Sequence, residues 1–192
     1  AFGENEHSPP PYGAWTEATR VLFDSSRDEL RRLHNTGHSL SPLDYPHAAE
    51  DIALAAETFL ASQRGARGGA GVRPARLAVW SAISPWVEAT LLLRASTALP
   101  VLRNASITTV DYNEPILSRN AGVSRLRTLA QGELPSAYAR GERFDAIVSF
   151  SGLEHDGLGR YADPLNPTGD FSAMEELRHF LAPGGLLLLG LP

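Results

Sequence analysis

From residue 72 onward the apolar residues come in short, nearly unbroken runs: Leu77–Trp80, Ser106–Val110, Phe144–Phe150 and Leu186–Leu191, with a weaker run at Leu126–Leu129. Runs of this length predict strands, and their lack of alternation with polar residues predicts burial on both faces. Between them, Pro85–Arg94, Ile116–Asn120, Ser136–Arg140 and Ser172–Leu181 carry helical patterns. Strands that alternate with helices build a parallel sheet covered on both sides, so the expected fold is α/β, a Rossmann-like doubly wound, mostly parallel sheet.

Upstream the texture differs. Pro9-Pro10-Pro11 and Gly13 make residues 1–14 an irregular lead-in. Val21, Leu22, Leu30 and Leu33 recur at helical spacing between Trp15 and His34, with Ser26 and Glu29 spaced as a capping box. A second helix follows Pro46, with Ala49, Ile52, Ala56, Phe59 and Leu60 as one apolar stripe. Arg64-Gly-Ala-Arg-Gly-Gly-Ala-Gly71 then reads as a flexible linker. The expected organisation is an N-terminal helical extension with a glycine-rich linker over 1–71, and one α/β domain over 72–192.

Composition narrows the chemistry. The chain has 192 residues, 43% hydrophobic and 20% charged, enough for one core and unlike a disordered tail. It has no lysine, and its 17 basic residues are all arginine. With a net charge of −5, no nucleic-acid partner is expected. No apolar run is long enough to predict a membrane span. The absence of cysteine excludes disulfides and a thiol nucleophile. A chain that begins at Ala1 and ends at Pro192 after an apolar run is expected to be processed or partial.

Ligands of open parallel sheets bind at the carboxyl ends of the strands, so the residues after each run are the candidates. After the first strand comes Trp80-Ser-Ala-Ile-Ser-Pro-Trp-Val-Glu88. Here Ser84 can cap a helix opened by Pro85, with Glu88 in its first turn. Nucleotide-binding folds place glycines at this exit, and this segment has none. Either a cofactor is held differently or none is bound. After the second strand, Asp111 stands where a Rossmann fold accepts hydrogen bonds from ribose hydroxyls, and Tyr112 can flank an adenine or pack on the next helix. After the third, Gln131 or Glu133 can meet the exocyclic amine of adenine.

The fourth exit is the richest stretch of the chain. Glu154, His155, Asp156, Arg160, Tyr161 and Asp163 crowd into ten positions among Gly152, Gly157 and Gly159. A histidine beside carboxylates suits a general base or a metal ligand, although no spacing fixes a metal geometry and no metal is assigned. The bland alternative is a loop braced by Arg160–carboxylate pairs. Downstream, Ser172 and Glu175 have capping-box spacing, and Pro183-Gly184-Gly185 predicts a turn into the last strand.

Phe144-Asp-Ala-Ile-Val-Ser, then Leu-Glu-His, then Leu181-Ala-Pro-Gly-Gly-Leu-Leu-Leu resemble the fourth-to-fifth-strand half of class I S-adenosylmethionine-dependent methyltransferases. More narrowly, Ser84-Pro-Trp-Val-Glu88, Thr109-Val-Asp-Tyr-Asn113 and Glu154-His-Asp-Gly-Leu-Gly-Arg-Tyr-Ala-Asp-Pro164 resemble the family catalogued as domain of unknown function 268, over residues 75–192. The resemblance implies a methyltransferase-like fold whose sheet continues past the fifth strand, so the final strands are expected to be missing here. It also implies S-adenosylmethionine as cofactor, with Ser81, Ser84, Trp86, Glu88, Asp111, Tyr112 and Gln131 on the cofactor side. Glu154, His155 and Asp156 are then the catalytic candidates, and Arg160, Tyr161 and Asp163 meet a small-molecule or glycan substrate. The alternative is a non-catalytic Rossmann-like binding module linked to carbohydrate modification, whose acidic loop holds a sugar or partner. A third reading is a metal-dependent hydrolase using Glu154, His155 and Asp163.

Overall fold

The structure, a computed structural model, describes residues 47–66, 73–81, 86–97, 102, 105–111, 126–160 and 163–191. The helices expected at Trp15–His34 and Ile116–Asn120 lie outside the described residues. The elements run α1 (Ala48–Ala66), β1 (Arg76–Trp80), α2 (Trp86–Thr97), β2 (Ser106–Asp111), β3 (Leu126–Ala130), α3 (Leu134–Ala139), β4 (Phe144–Phe150), α4 (Gly169–Phe180) and β5 (Leu181–Gly190). Single 3-10 turns sit at Gln131–Glu133 and Leu153–His155.

The five strands form one sheet in the order β3-β2-β1-β4-β5. All four pairings are parallel, with Val79 opposite Thr109 on one side and Val148 on the other. The chain therefore winds outward from β1 to β3, returns, and winds the other way through β4 and β5. The order reverses between β1 and β4, and a crevice opens at the carboxyl ends of strands at such a reversal.

Successive strand residues point to opposite faces, which is why unbroken apolar runs fill two cores here. Leu77 and Val79 of β1 face one layer, with Ile107, Ala146 and Val148, under Val87 and Leu91 of α2 and Ile52, Ala56 and Leu60 of α1. Ala78 and Trp80 face the other, with Val110, Leu129 and Ile147, under Leu134 and Ala137 of α3 and Ala173, Leu177 and Phe180 of α4. The α1 stripe thus shares its core with β1 and β4. Trp80 is fully buried, its ring 5.8 Å from that of Phe180.

Three details differ from the sequence pattern. Helix α1 runs on through Arg64-Gly65-Ala66, into the stretch expected as linker, because a helix once begun gains a hydrogen bond with each added residue. Ser172 does not cap α4, which begins three residues earlier at Gly169 after Thr168. The reason is Asn166: its Oδ1 accepts both the Thr168 N–H and hydroxyl at 3.1 Å and turns the chain early. Ser172 sits inside the helix and donates its hydroxyl back to the Thr168 carbonyl at 3.0 Å. Pro183-Gly184-Gly185 likewise does not precede the last strand but interrupts it. Leu181 pairs with Phe144 and Leu186 with Ala146, so residues 182–185 bulge out of β5, with Gly184 at φ 71.

At the opposite, amino-terminal edge of the sheet, Asp145 ties β4 to β1. It accepts the Arg76 backbone N–H at 2.8 Å and both Arg73 guanidinium nitrogens at 2.8 and 2.6 Å. Arg73 is nearly half exposed, which discounts its ion pair, so the backbone bond carries most of the effect. Asp145→Ala is expected to cost about 1–3 kcal/mol by urea denaturation, because it orphans a partly buried N–H. Asp145→Asn, which keeps an acceptor, should recover most of that loss. Equal loss in both variants would place the effect in the Arg73 pair instead.

Candidate functional site

The crevice is built from the exits of β1 and β4. Ser81 has φ 58 and Ser151 has φ 47, the two non-glycine residues with positive φ among the described residues. A side chain in this region crowds its own backbone and costs on the order of 1–3 kcal/mol, so surrounding structure must hold it. That structure is visible. The Ser81 N–H donates to the Val110 carbonyl of β2 at 2.8 Å, and the Ser151 N–H donates to the Gly190 carbonyl of β5 at 2.8 Å.

The two exits also touch. A Cβ placed on Gly152 would lie 2.6 Å from the Ser81 carbonyl oxygen and 2.8 Å from its Cβ, so only glycine lets the strands' continuations come this close. Beside them the Trp86 ring stands edge-on to Phe150, centroids 5.0 Å apart at 87°. Phe150 in turn lies against Gly190, where any Cβ would enter its ring. Trp86, from α2, and Phe150 both pack against the core layer under α1 and α2.

Glu88 lies deeper. It is fully buried, and the Thr109 hydroxyl donates to its Oε1 at 2.6 Å. A buried carboxyl is tolerable only when hydrogen-bonded, and this bond pins the first turn of α2 to the middle of β2. Asp111 ends β2 one residue beyond Val110, with its backbone opposite Ala130 of β3. Its side chain, and Ser84, Tyr112 and Tyr161, lie outside the described residues.

At the β3 exit the two alternatives separate. Glu133 Oε2 accepts the Ala130 N–H at 2.8 Å and so closes its own turn. Gln131 reaches across to α4, its amide donating to Glu176 Oε2 at 3.1 Å. Burial pushes the Glu176 carboxyl above the usual range. Glu176 was not among the sequence candidates, although its helical spacing from Ala173 and Phe180 was the available signal; Glu175 bonds Arg178 on the outer face.

The β4 exit brings three polar side chains together. The Ser151 hydroxyl donates to Glu154 Oε1 at 2.9 Å, and His155 Nε2 lies 3.7 Å from the same oxygen. Ser151 was missed in the sequence, although a serine at a strand end three residues before a glutamate was the available signal. Asp156 follows, buried. Asp163 is buried too, and its Oδ2 accepts the Gly157 and Gly159 N–H groups at 2.7 and 3.0 Å. The Gly157 carbonyl accepts the Asn166 N–H at 2.9 Å. The loop is thus braced by Asp163 and by backbone. Arg160 is exposed on it, as are Leu158, Leu165 and Phe171 nearby. Among the described residues no three acidic or histidine side chains group closely enough to hold a metal ion.

Chemically, the arrangement sets an imidazole beside a carboxylate that a hydroxyl already orients. It lies on the β4 exit, which at Gly152 touches the β1 exit at Ser81. Such a pair can take a proton from a bound molecule and stabilise the cation that results. Residues 76–192 match the family described as Caenorhabditis protein of unknown function, DUF268. No match was found among the curated proteins.

Proposed function

The chain belongs to the DUF268 family, and on that premise we propose that it is an S-adenosylmethionine-dependent methyltransferase acting on a small molecule or glycan. The observation that carries the reading is the pair of strained serines where the strand order reverses, Ser81 and Ser151, pressed together across Gly152. Backbone strain held at a crevice is characteristic of ligand sites.

One feature of the β1 exit supports the cofactor. Glycine is usual at the β1 exit because it takes positive φ freely and lets a ligand approach the backbone. Ser81 takes that same conformation without glycine. When bound, the cofactor would supply an electrophilic methyl group on a sulfonium. Asp111, at the end of β2, would accept the ribose hydroxyls, and Gln131 would meet the adenine amine. Trp86 and Phe150 would exclude water from the reacting end. His155, steadied by Glu154, would orient the acceptor and take its proton. Methyl transfer depends mainly on an in-line approach, so positioning by these groups counts for most of the rate.

Calorimetry on the full-length protein tests this. S-adenosylmethionine and S-adenosylhomocysteine should both give saturable heat, and Asp111→Ala should weaken binding by about 10-fold or more, the worth of one charged hydrogen bond. No heat from folded protein at high micromolar ligand rejects the reading.

A second reading, a non-catalytic module that binds a sugar or partner, is favoured by one observation. Asp163 and Glu154 each commit a carboxylate oxygen to the β4 exit itself, to the Gly157 and Gly159 amides and to the Ser151 hydroxyl. Transfer of label from methyl-tritiated S-adenosylmethionine separates the two, since a module binds its sugar or partner and never gives turnover.

A further inference from the structure

We infer that the amino-terminal edge of the sheet carries a second binding site, for a phosphate group, between the side chains of Arg76, Arg127 and Arg140. The inference does not depend on the methyltransferase reading, because this edge lies at the other end of the strands from Ser81 and Ser151.

Strand register brings the first two arginines together. Arg76 opens β1 beside Ser106 of β2, and Arg127 of β3 stands beside Thr108, two residues further along β2. Alternation puts all four on one face, that of Ala78 and Trp80 in β1, Val110 in β2 and Leu129 in β3, which is covered by α3 and α4. The two arginines thus flank β2, each one strand spacing of about 4.8 Å from it. Arg140 comes from the covering layer. It ends α3 one turn after Ala137, which packs on that same face.

Three like charges gathered in this way repel one another. Burial lowers the pKa of the Arg127 guanidinium below its ordinary value, and the charges of Arg140 and Arg76 lower it further, against Glu133, which raises it. The carboxylates at hand are already engaged. Glu142 pairs with Arg127, and Glu133 Oε2 accepts the Ala130 N–H at 2.8 Å. Arg76 shows the shortage of acceptors at one atom: its Nε is buried and has no hydrogen-bond partner among the described residues, while Asp145 takes its backbone N–H. A buried donor in that state is costly, and a bound anion would relieve it.

Shape selects the ligand. Guanidinium groups come from β1, β3 and α3, and the exposed Ser106 stands on β2 between the first two. A carboxylate offers two oxygens in one plane, which a single guanidinium uses up. A phosphate offers three or four oxygens in tetrahedral directions and close to two negative charges, so it can meet several guanidinium groups at once.

The test is calorimetry on the full-length protein at pH 8, with inorganic phosphate, phenyl phosphate and glutarate as probes and sodium chloride holding the ionic strength constant. The expected result is saturable heat from a phosphate and none from glutarate. The tighter of the two phosphates identifies the source, a free ion or a phosphate carried on a larger molecule. Arg76→Gln and Arg140→Gln should each weaken that binding by about 10-fold or more, the worth of a hydrogen bond to a charged group. Arg140 is exposed, so its variant tests the site without risk to the fold. Without phosphate, Arg140→Gln should melt no lower than the parent, because it removes a like charge, whereas a merely structural arginine would lower Tm when replaced. Arg160→Gln, at the other end of the strands, should leave phosphate binding unchanged. Heat that does not saturate, glutarate binding as tightly as phosphate, binding that survives both Arg76→Gln and Arg140→Gln, or binding lost in Arg160→Gln instead, overturns the inference.

Discussion

Gly152→Ala is expected to abolish ligand binding in the crevice and to lower stability by about 1–3 kcal/mol, the usual cost of overpacking a tight contact. Gly152 has φ −131 and ψ −54, so alanine meets no backbone obstacle of its own. The obstacle is Ser81, whose carbonyl oxygen and Cβ lie 2.6 and 2.8 Å from the new methyl. Neither can rotate away. Ser81 is anchored to β2 through Val110, and Ser151, the neighbour of Gly152, is anchored to β5 through Gly190. Relief must come from separating the β1 and β4 exits, which is the geometry a ligand at the strand reversal depends on. In a domain of this size the loss corresponds to a fall in Tm of roughly 2–4 °C per kcal/mol. Gly132→Ala, where a Cβ would meet nothing within 4 Å, is the matched control and should change neither Tm nor binding. Normal binding in Gly152→Ala would show that the crevice tolerates a wider separation of the exits and that its tightness is incidental.

The second large effect is expected at Asp163. A single oxygen, Oδ2, accepts two backbone N–H groups, from Gly157 and Gly159, in a buried setting. Asp163→Ala orphans both donors and should cost about 2–4 kcal/mol, since hydrogen bonds to a charged acceptor contribute roughly 1.5–3 kcal/mol each and are expensive to leave unmade. Asp163→Asn keeps one oxygen at that position, and its loss should be nearer 1 kcal/mol. Hydrogen exchange distinguishes a local from a global effect. The Gly157 and Gly159 amides should lose protection first, while Val79 and Val148 in the central strands keep theirs. Protection of the two glycine amides that survives in Asp163→Ala would mean that the Gly157–Asn166 backbone bond braces the loop alone.

These two positions also show why the candidate site was only partly legible in the sequence. The crowding of ionisable residues between Glu154 and Asp163 was plain, but the division of labour within it was not. Asp163 and Asp156 look equivalent on paper. Folding turns one of them toward glycine amides four and six residues back, because Gly157 and Gly159, at φ 86 and 70, bend the chain over it. Glu88 offers the same lesson. The resemblance set it on the cofactor side, and its carboxyl reaches inward to Thr109, 21 positions away. Helical spacing sets Glu176, unlike Glu175, beside Ala173 and Phe180 on the inner side of α4, but no local pattern encodes that it faces Gln131.

What the sequence determined by itself is the periodicity, and through it the fold class. Unbroken apolar runs separated by helical stripes admit few structures other than a parallel sheet covered on both faces, because each strand must bury both of its sides. The strand positions, the order in which they alternate with helices, and the ends at which ligand chemistry belongs all follow from that. Tertiary structure alone decided which stripe meets which face. The stripe Ile52, Ala56 and Leu60 required burial somewhere, but only the sheet made it the cover of β1 and β4. Tertiary structure also decided the strain at Ser81 and Ser151, since positive φ in a serine has no local signature and persists only where neighbouring strands hold it. Burial is written in composition and spacing, which are local. The meeting of Ser81 with Gly152, 71 positions apart, is a property of the assembled sheet.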